Sequence, residues 1–171
     1  MPGTLRICGR TWGSFAAILM ASVLPFQQQI DRVGMARSRF EKETDPVHKA
    51  KLILPLGTAE FDQIEKQVGD RDLTTALDNL HAYQDQVTLC EKALDARGVD
   101  PEKHSAGFKE LEISVRESLR RLDNVLVHLS GDDQKPFLEV RKSLDEINRH
   151  LIKQLFPYQP GVTPNSAKPK T

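Results

Sequence analysis

Five histidines and a cysteine on an apolar seam are the residues of this chain best equipped for chemistry, and their spacing limits what they can do. The histidines are His48, His81, His104, His128 and His150. A helical bundle that holds two metal ions uses Glu-x-x-His on two inward faces. The chain has only one near match, Asp78-x-x-His81. His128 and His150 stand on either side of a turn at Gly131. Counted from that turn along two helices, they lie roughly 20 Å apart and cannot share an ion. The same counting brings His81, Glu117 and Glu146 near one level, with His150 a turn away. These four residues form the candidate metal site, a mixed imidazole and carboxylate set. No ligand spacing of a known site is present, so the expected reading is four solvated residues on helix faces and no metal site.

Other chemistry finds less support. Cys90 falls between Val87 and Leu94 on an apolar seam, where a thiol acts as a small inert hydrophobe. Arg116, Arg120 and Arg121 could hold an anion, but Glu112 and Glu117 lie within a turn and neutralise them. No Gly-x-Ser-x-Gly occurs, and Ser114 and Ser118 sit inside a helix pattern. Gly-rich phosphate loops, CxxC and CxxCH are absent, which removes P-loop, Rossmann, thioredoxin-like and c-type haem readings. No catalytic residue and no cofactor is expected.

The elements that would carry these residues are helices. Leu73, Leu80, Val87 and Leu94 recur every seven residues, with Ala76, Tyr83 and Cys90 three further on. This is an a/d seam. Gly98 suits the end of that helix, and Asp100-Pro101 reads as the cap of the next. There Phe108, Val115, Leu122 and Leu129 take a, and Leu111, Ser118 and Val125 take d. A third helix opens at Asp132 or Asp133, tolerates Pro136 in its first turn, and carries Phe137, Val140, Leu144, Ile147 and Leu151. Upstream, Asp45-Pro46 opens a short helix that ends at Leu54, before Pro55. Thr58 caps a second short helix carrying Phe61, Ile64 and Val68, which Gly69 ends. No segment alternates with period 2 over strand length. The expected fold is all-α, an antiparallel three-helix bundle preceded by a short helical hairpin.

Exposed faces carry Glu112 with Arg116, Glu117 with Arg121, Asp145 with Arg149 and Glu146 with His150. Each such pair supports its helix by about 0.2–0.5 kcal/mol. The stretch Ala59 to Tyr83, with Gly69-Asp70 and then Ala76-Leu77, faintly resembles one tetratricopeptide unit. Two extra residues separate the turn from the alanine, and no second copy follows, so it reads as an ordinary hairpin.

The start of the chain has a separate character. Arg6 and Arg10 precede an apolar run from Trp12 to Phe26, and no acidic residue comes before Asp31. This is the order of an export signal. At 15 residues the run is shorter than the roughly 20 a membrane-spanning helix needs. Ala-x-Ala is missing at its end, since cuts after Ala21 or Ser22 put Leu19 or Met20 at −3. Residues 1–29 are therefore read as a signal peptide or N-terminal anchor, 30–44 as a polar linker, 45–156 as the bundle domain and 157–171 as a disordered Pro-rich tail.

The chain has 24 basic and 24 acidic residues. Such balance leaves no electrostatic footprint for nucleic acid, and a membrane would be met only through an uncleaved N-terminal segment. With Cys8 in the leader, Cys90 has no partner for an intramolecular disulfide, so packing must supply stability. The functional expectation is a periplasmic or secreted, non-enzymatic bundle that binds another protein or a cell-envelope component. Leu52, Ile53, Leu54, Leu56 and Phe61 are the expected contact surface. The alternative is a metal- or small-ligand-binding bundle using His81, Glu117, Glu146 and His150.

Overall fold

A computed structural model describes residues 24–157, with side chains from residue 32. These residues form five helices packed against one another: α1 (Leu24–Lys42), α2 (Pro46–Gly69), α3 (Leu73–Asp95), α4 (Phe108–Val127) and α5 (Gln134–Leu155). No strand occurs among the described residues, so the chain is an all-helical bundle. Of the expected export segment, residues 1–23 lie outside the described residues and 24–29 open α1; of the expected tail, residues 158–171 lie outside them.

Side-chain contacts fix the directions of the helices. Arg37 of α1 reaches Glu60 of α2, so these two run antiparallel about the turn at 43–45. Gly107, just before α4, packs on Val47 near the start of α2, while Arg121 further along α4 reaches Asp62 and Glu65. Hence α2 and α4 are parallel. His150 and Gln154 of α5 meet Glu91 and Asp95 of α3, so those two are parallel as well. The centre of the bundle holds Tyr83, Phe61, Phe108 and Phe137, each at most 1% exposed.

Three details depart from the sequence pattern. The 30–44 linker is mostly helix, because α1 runs to Lys42. Its buried stripe is only Val33 and Phe40, one heptad apart, with Ala36 and Arg37 half-buried between them. A charged residue in the middle of so short a stripe hides the period.

Second, the two short helices are one helix, α2, with Pro55 inside it. An interior proline costs a helix about 3 kcal/mol. Against that, Ile53, Leu56, Phe61 and Ile64 are all fully buried, and each contributes about 1.5–3 kcal/mol on burial. The apolar face continues across Pro55, which points to the exposed side, and burial wins. The start is as expected, since Asp45 accepts the His48 N–H at 2.8 Å. That bond holds the Asp45 carboxyl below its ordinary range.

Third, α4 starts at Phe108 and not after Pro101. Asp100 does accept the Glu102 N–H, but it closes a single turn. Residues 102–106 are exposed and offer no apolar face to extend it. Gly107 makes the entry instead, with φ +90°. A Cβ there would stand 2.6 Å from Leu94 Cδ2, so only glycine fits between the ends of α3 and α2.

The three long seams follow the heptads, except that Leu73 and Ile147 are only partly buried. Ala76, Leu80, Tyr83, Val87, Cys90 and Leu94 are all fully buried on α3. Ser118, at d on α4, is buried too and hydrogen-bonds Tyr83 Oη at 2.6 Å, while its hydroxyl also reaches the Ser114 carbonyl at 2.9 Å. Gly57 of α2 lies against the same tyrosine, where a Cβ would stand 2.9 Å from Oη.

Candidate functional site

The four residues that sequence counting brings to one level do not converge. Tyr83 bonds Ser118, so His81 and Glu117 do lie within a turn of each other in height. They point apart nonetheless. His81 is exposed on α3, Glu117 turns along α4 to Arg120 at 2.6 Å, and Glu146 is exposed on α5. Glu117 and Glu146 each lie two residues past an a position, Val115 and Leu144, which directs them away from the seam.

His150 alone of the four enters a cluster. It precedes Leu151 and flanks the seam facing α3. Its Nδ1 lies 2.8 Å from Glu91 Oε1, and its Nε2 lies 3.2 Å from the Gln154 amide nitrogen. The same amide nitrogen donates to Asp95 Oδ1 at 3.0 Å. With a carboxylate at Nδ1 and an amide donor at Nε2, the consistent assignment is a neutral imidazole protonated at Nδ1. Glu91, Asp95 and His150 each present one ligand atom, and these lie within 4.8 Å of one another. They are the one three-residue group of metal-ligating type among the described residues. Glu91 and Asp95, a turn apart on α3, escaped the sequence reading. The signal for them was the parallel alignment of α3 with α5, which sets each α5 residue beside the α3 residue a fixed number of positions earlier.

Two of the four pairs read from the sequence form: Asp145 with Arg149 on the surface, and Arg116 with Glu112, which is itself buried at 7% exposure and not on an exposed face. The other two are replaced by contacts between helices, because His150 takes Glu91 and Arg121 leaves Glu117. The Arg121 guanidinium binds Asp62, Glu65 and the Thr58 carbonyl of α2, and lies 5.6 Å from the centre of the Phe61 ring. The Glu65 carboxylate, with Asp62, raises its pKa further. Arg121 is thus a clamp between α2 and α4 and not part of a free anion site.

The buried polar groups are structural in character. Cys90 is fully buried, and desolvation pushes its thiol up to about 12, so no thiolate nucleophile is available near neutral pH. Ser114 and Ser118 donate to backbone carbonyls one turn back. Glu60 is the exception in kind, a carboxylate 0% exposed that meets only Arg37, at 2.6 Å, and leaves Oε2 without a partner. Burial raises its pKa despite the guanidinium.

The expected contact surface is largely core. Ile53, Leu56 and Phe61 are fully buried, since α2 is a full member of the bundle. Leu52 is half-buried, and Leu54 remains 41% exposed. Leu54 belongs to an open groove of about 460 Å³ between α1 and α2. Met35, Ala36, Leu54, Pro55 and Ala59 form its apolar surface, and Arg32 and Arg39 stand on its α1 side.

Comparison with known proteins adds no relative: no protein-family model, no curated protein and no solved structure matches this chain. Among the described residues no helix is long and apolar enough to cross a membrane.

Proposed function

We propose that this chain is an exported, non-enzymatic helical-bundle module that binds another protein through the groove between α1 and α2. The observation that carries the reading is the groove's composition. Met35 is 56% exposed beside Leu54, and neither Arg32 nor Arg39 has an ion-pair partner among the described residues. An apolar trough beside two free guanidinium groups is complementary to an amphipathic acidic helix, which would lay its apolar face in the groove. The sealed thiol of Cys90 and the back-bonded serines support a non-enzymatic role, and the Arg6-to-Phe26 segment supports export to the periplasm or beyond.

The test compares partners captured from the exporting cell by the full chain and by two variants. Leu54→Asp changes the groove, and Leu138→Asp changes an exposed leucine on α5. A groove partner should be retained by wild type and L138D and lost at least tenfold by L54D, the effect of about 1.4 kcal/mol. Identical captured sets for all three proteins, with unchanged helicity, would remove the groove from the proposal.

A second reading, metal binding, is favoured by the Glu91, Asp95 and His150 cluster. One imidazole nitrogen and two carboxylate oxygens suit a borderline divalent ion such as zinc. An ion bound only by the folded state must raise the melting midpoint, by about 2.7 kcal/mol of stability at a hundredfold excess over Kd. A zinc titration of wild type and His150→Ala decides it. A midpoint that rises for wild type and not for H150A supports the site, and equal behaviour of the two rejects it.

A further inference from the structure

The C-terminal ends of α2 and α4, which run parallel, lie side by side and enclose a cleft of about 470 Å³. Val68 and Val125 form its floor, and both are buried. Glu65 stands on the wall, but Arg121 already binds both of its carboxylate oxygens at 2.8 Å. Its charge is therefore taken up within the protein.

Two helix C-termini would ordinarily make this end of the bundle negative. Here several of the last carbonyls already accept hydrogen bonds. Asp70, Arg71 and Asp72 donate their backbone N–H groups to Lys66, Val68 and Gln67. His128 donates to Val125, and Leu126 accepts from both Leu129 and the Gln134 amide. Exposed at the cleft are the Arg71 guanidinium, the Asn124 amide and the His128 imidazole, each able to donate a hydrogen bond. None of the three makes a side-chain hydrogen bond or ion pair within the described residues.

Arg71 adds a second, independent feature. Its φ is +64°, and it is the one non-glycine residue among the described residues with positive φ. The position just past a helix end in this conformation suits glycine or asparagine. The Arg71 N–H to Val68 and the Asp72 N–H to Gln67 make Arg71 the left-handed residue of a Schellman helix end, where any side chain is strained relative to glycine, and strained residues gather at functional sites.

We propose that this cleft binds a small organic oxyanion with a short aliphatic body. Arg71 meets the oxyanion with its planar fork, His128 and Asn124 donate to it from α4, and Val68 with Val125 take the aliphatic part. A carboxylate matches the fork best. A phosphate monoester offers the same chemistry with a tetrahedral head.

The experiment is a calorimetric titration of the full chain with hexanoate, inorganic phosphate, butyl phosphate and hexylamine. Saturable binding of hexanoate or butyl phosphate is expected, the stronger of the two naming the head group. Inorganic phosphate should bind at least tenfold more weakly, and hexylamine should not saturate. Arg71→Gly separates ligand from fold. Glycine suits φ +64°, so R71G should melt at or above the wild-type temperature while losing affinity at least tenfold. His128→Ala should lose affinity at an unchanged midpoint. The proposal is overturned if neither organic anion saturates, if hexylamine binds as well as hexanoate, or if R71G binds as tightly as wild type.

Discussion

Phe61→Ala should destabilise the bundle by about 4 kcal/mol, within the range for truncating a buried aromatic ring. Phe61 is 0% exposed and meets Tyr83 edge-to-face, with ring centres 5.5 Å apart and planes at 79°. Arg121 covers another side of the ring. The cost depends on whether neighbours can collapse into the space. Tyr83 cannot swing inward freely, because Ser118 holds its hydroxyl at 2.6 Å and Gly57 lies against its edge. The cavity should therefore stay largely open, which sets the upper half of the range. Urea unfolding measures it. The midpoint should fall by the full amount with the slope unchanged, and Leu138→Ala on the exposed face should stay within about 0.5 kcal/mol of wild type. A loss below about 1 kcal/mol for F61A would mean that α2 is not part of the core, and the groove on its outer face would lose its rigid wall.

This prediction rests on a residue whose burial the heptads did not fix. The seams of α3, α4 and α5 were legible because Leu80, Val87, Leu94, Val115, Leu122 and Leu144 repeat without interruption for three turns or more. Local rules then failed in opposite directions at the two ends of the readable region. At Pro55 a breaker was overridden, because Ile53, Leu56, Phe61 and Ile64 bury completely on one face. At Asp100-Pro101 a start signal was ignored, because nothing apolar follows it before Phe108. Local propensity decides helix ends only where burial is indifferent. In α1 the obstacle was Arg37, a charge at a seam position whose partner Glu60 lies 23 residues further on.

The candidate sites follow the same division. Heights along the helices could be counted from the turns, and His81 and Glu117 do fall within a turn of each other. Direction around the helix axis decided the outcome. Residues at c, such as Glu117 and Glu146, face away from neighbouring helices, while His150 at g meets Glu91 at e. The cleft by Arg71 was beyond the pattern altogether. It depends on α2 and α4 running parallel and ending together, a pairing between helices that are not successive in the chain.

Arg37→Ala should cost about 2 kcal/mol at neutral pH and almost nothing near pH 4. Removing one partner of a fully buried ion pair costs about 3–5 kcal/mol, because the other charge is left uncompensated. Here the Glu60 side chain is 0% exposed but that of Arg37 is 35% exposed, so water screens part of the interaction and the value is reduced accordingly. The pH dependence follows from the direction of the Glu60 shift. Burial raises its pKa above the ordinary 4.5 even with Arg37 in place, and without the guanidinium it must rise further. A carboxyl whose folded pKa is raised favours the folded state below its unfolded pKa and loses that contribution as pH rises through the folded value. Both proteins are therefore penalised toward neutral pH, the variant more so. The gap between them should open as pH climbs past the raised folded pKa of wild-type Glu60, above 4.5, where Glu60 ionises beside Arg37 and the folded variant resists doing so. Asp45, whose pKa is lowered by its capping bond, titrates alike in both proteins and cancels from the difference. Denaturant melts of the pair at several pH values read this gap directly. A constant difference across the range would show that Arg37 contributes only packing, and that Glu60 is not held against α1 as a buried carboxylate.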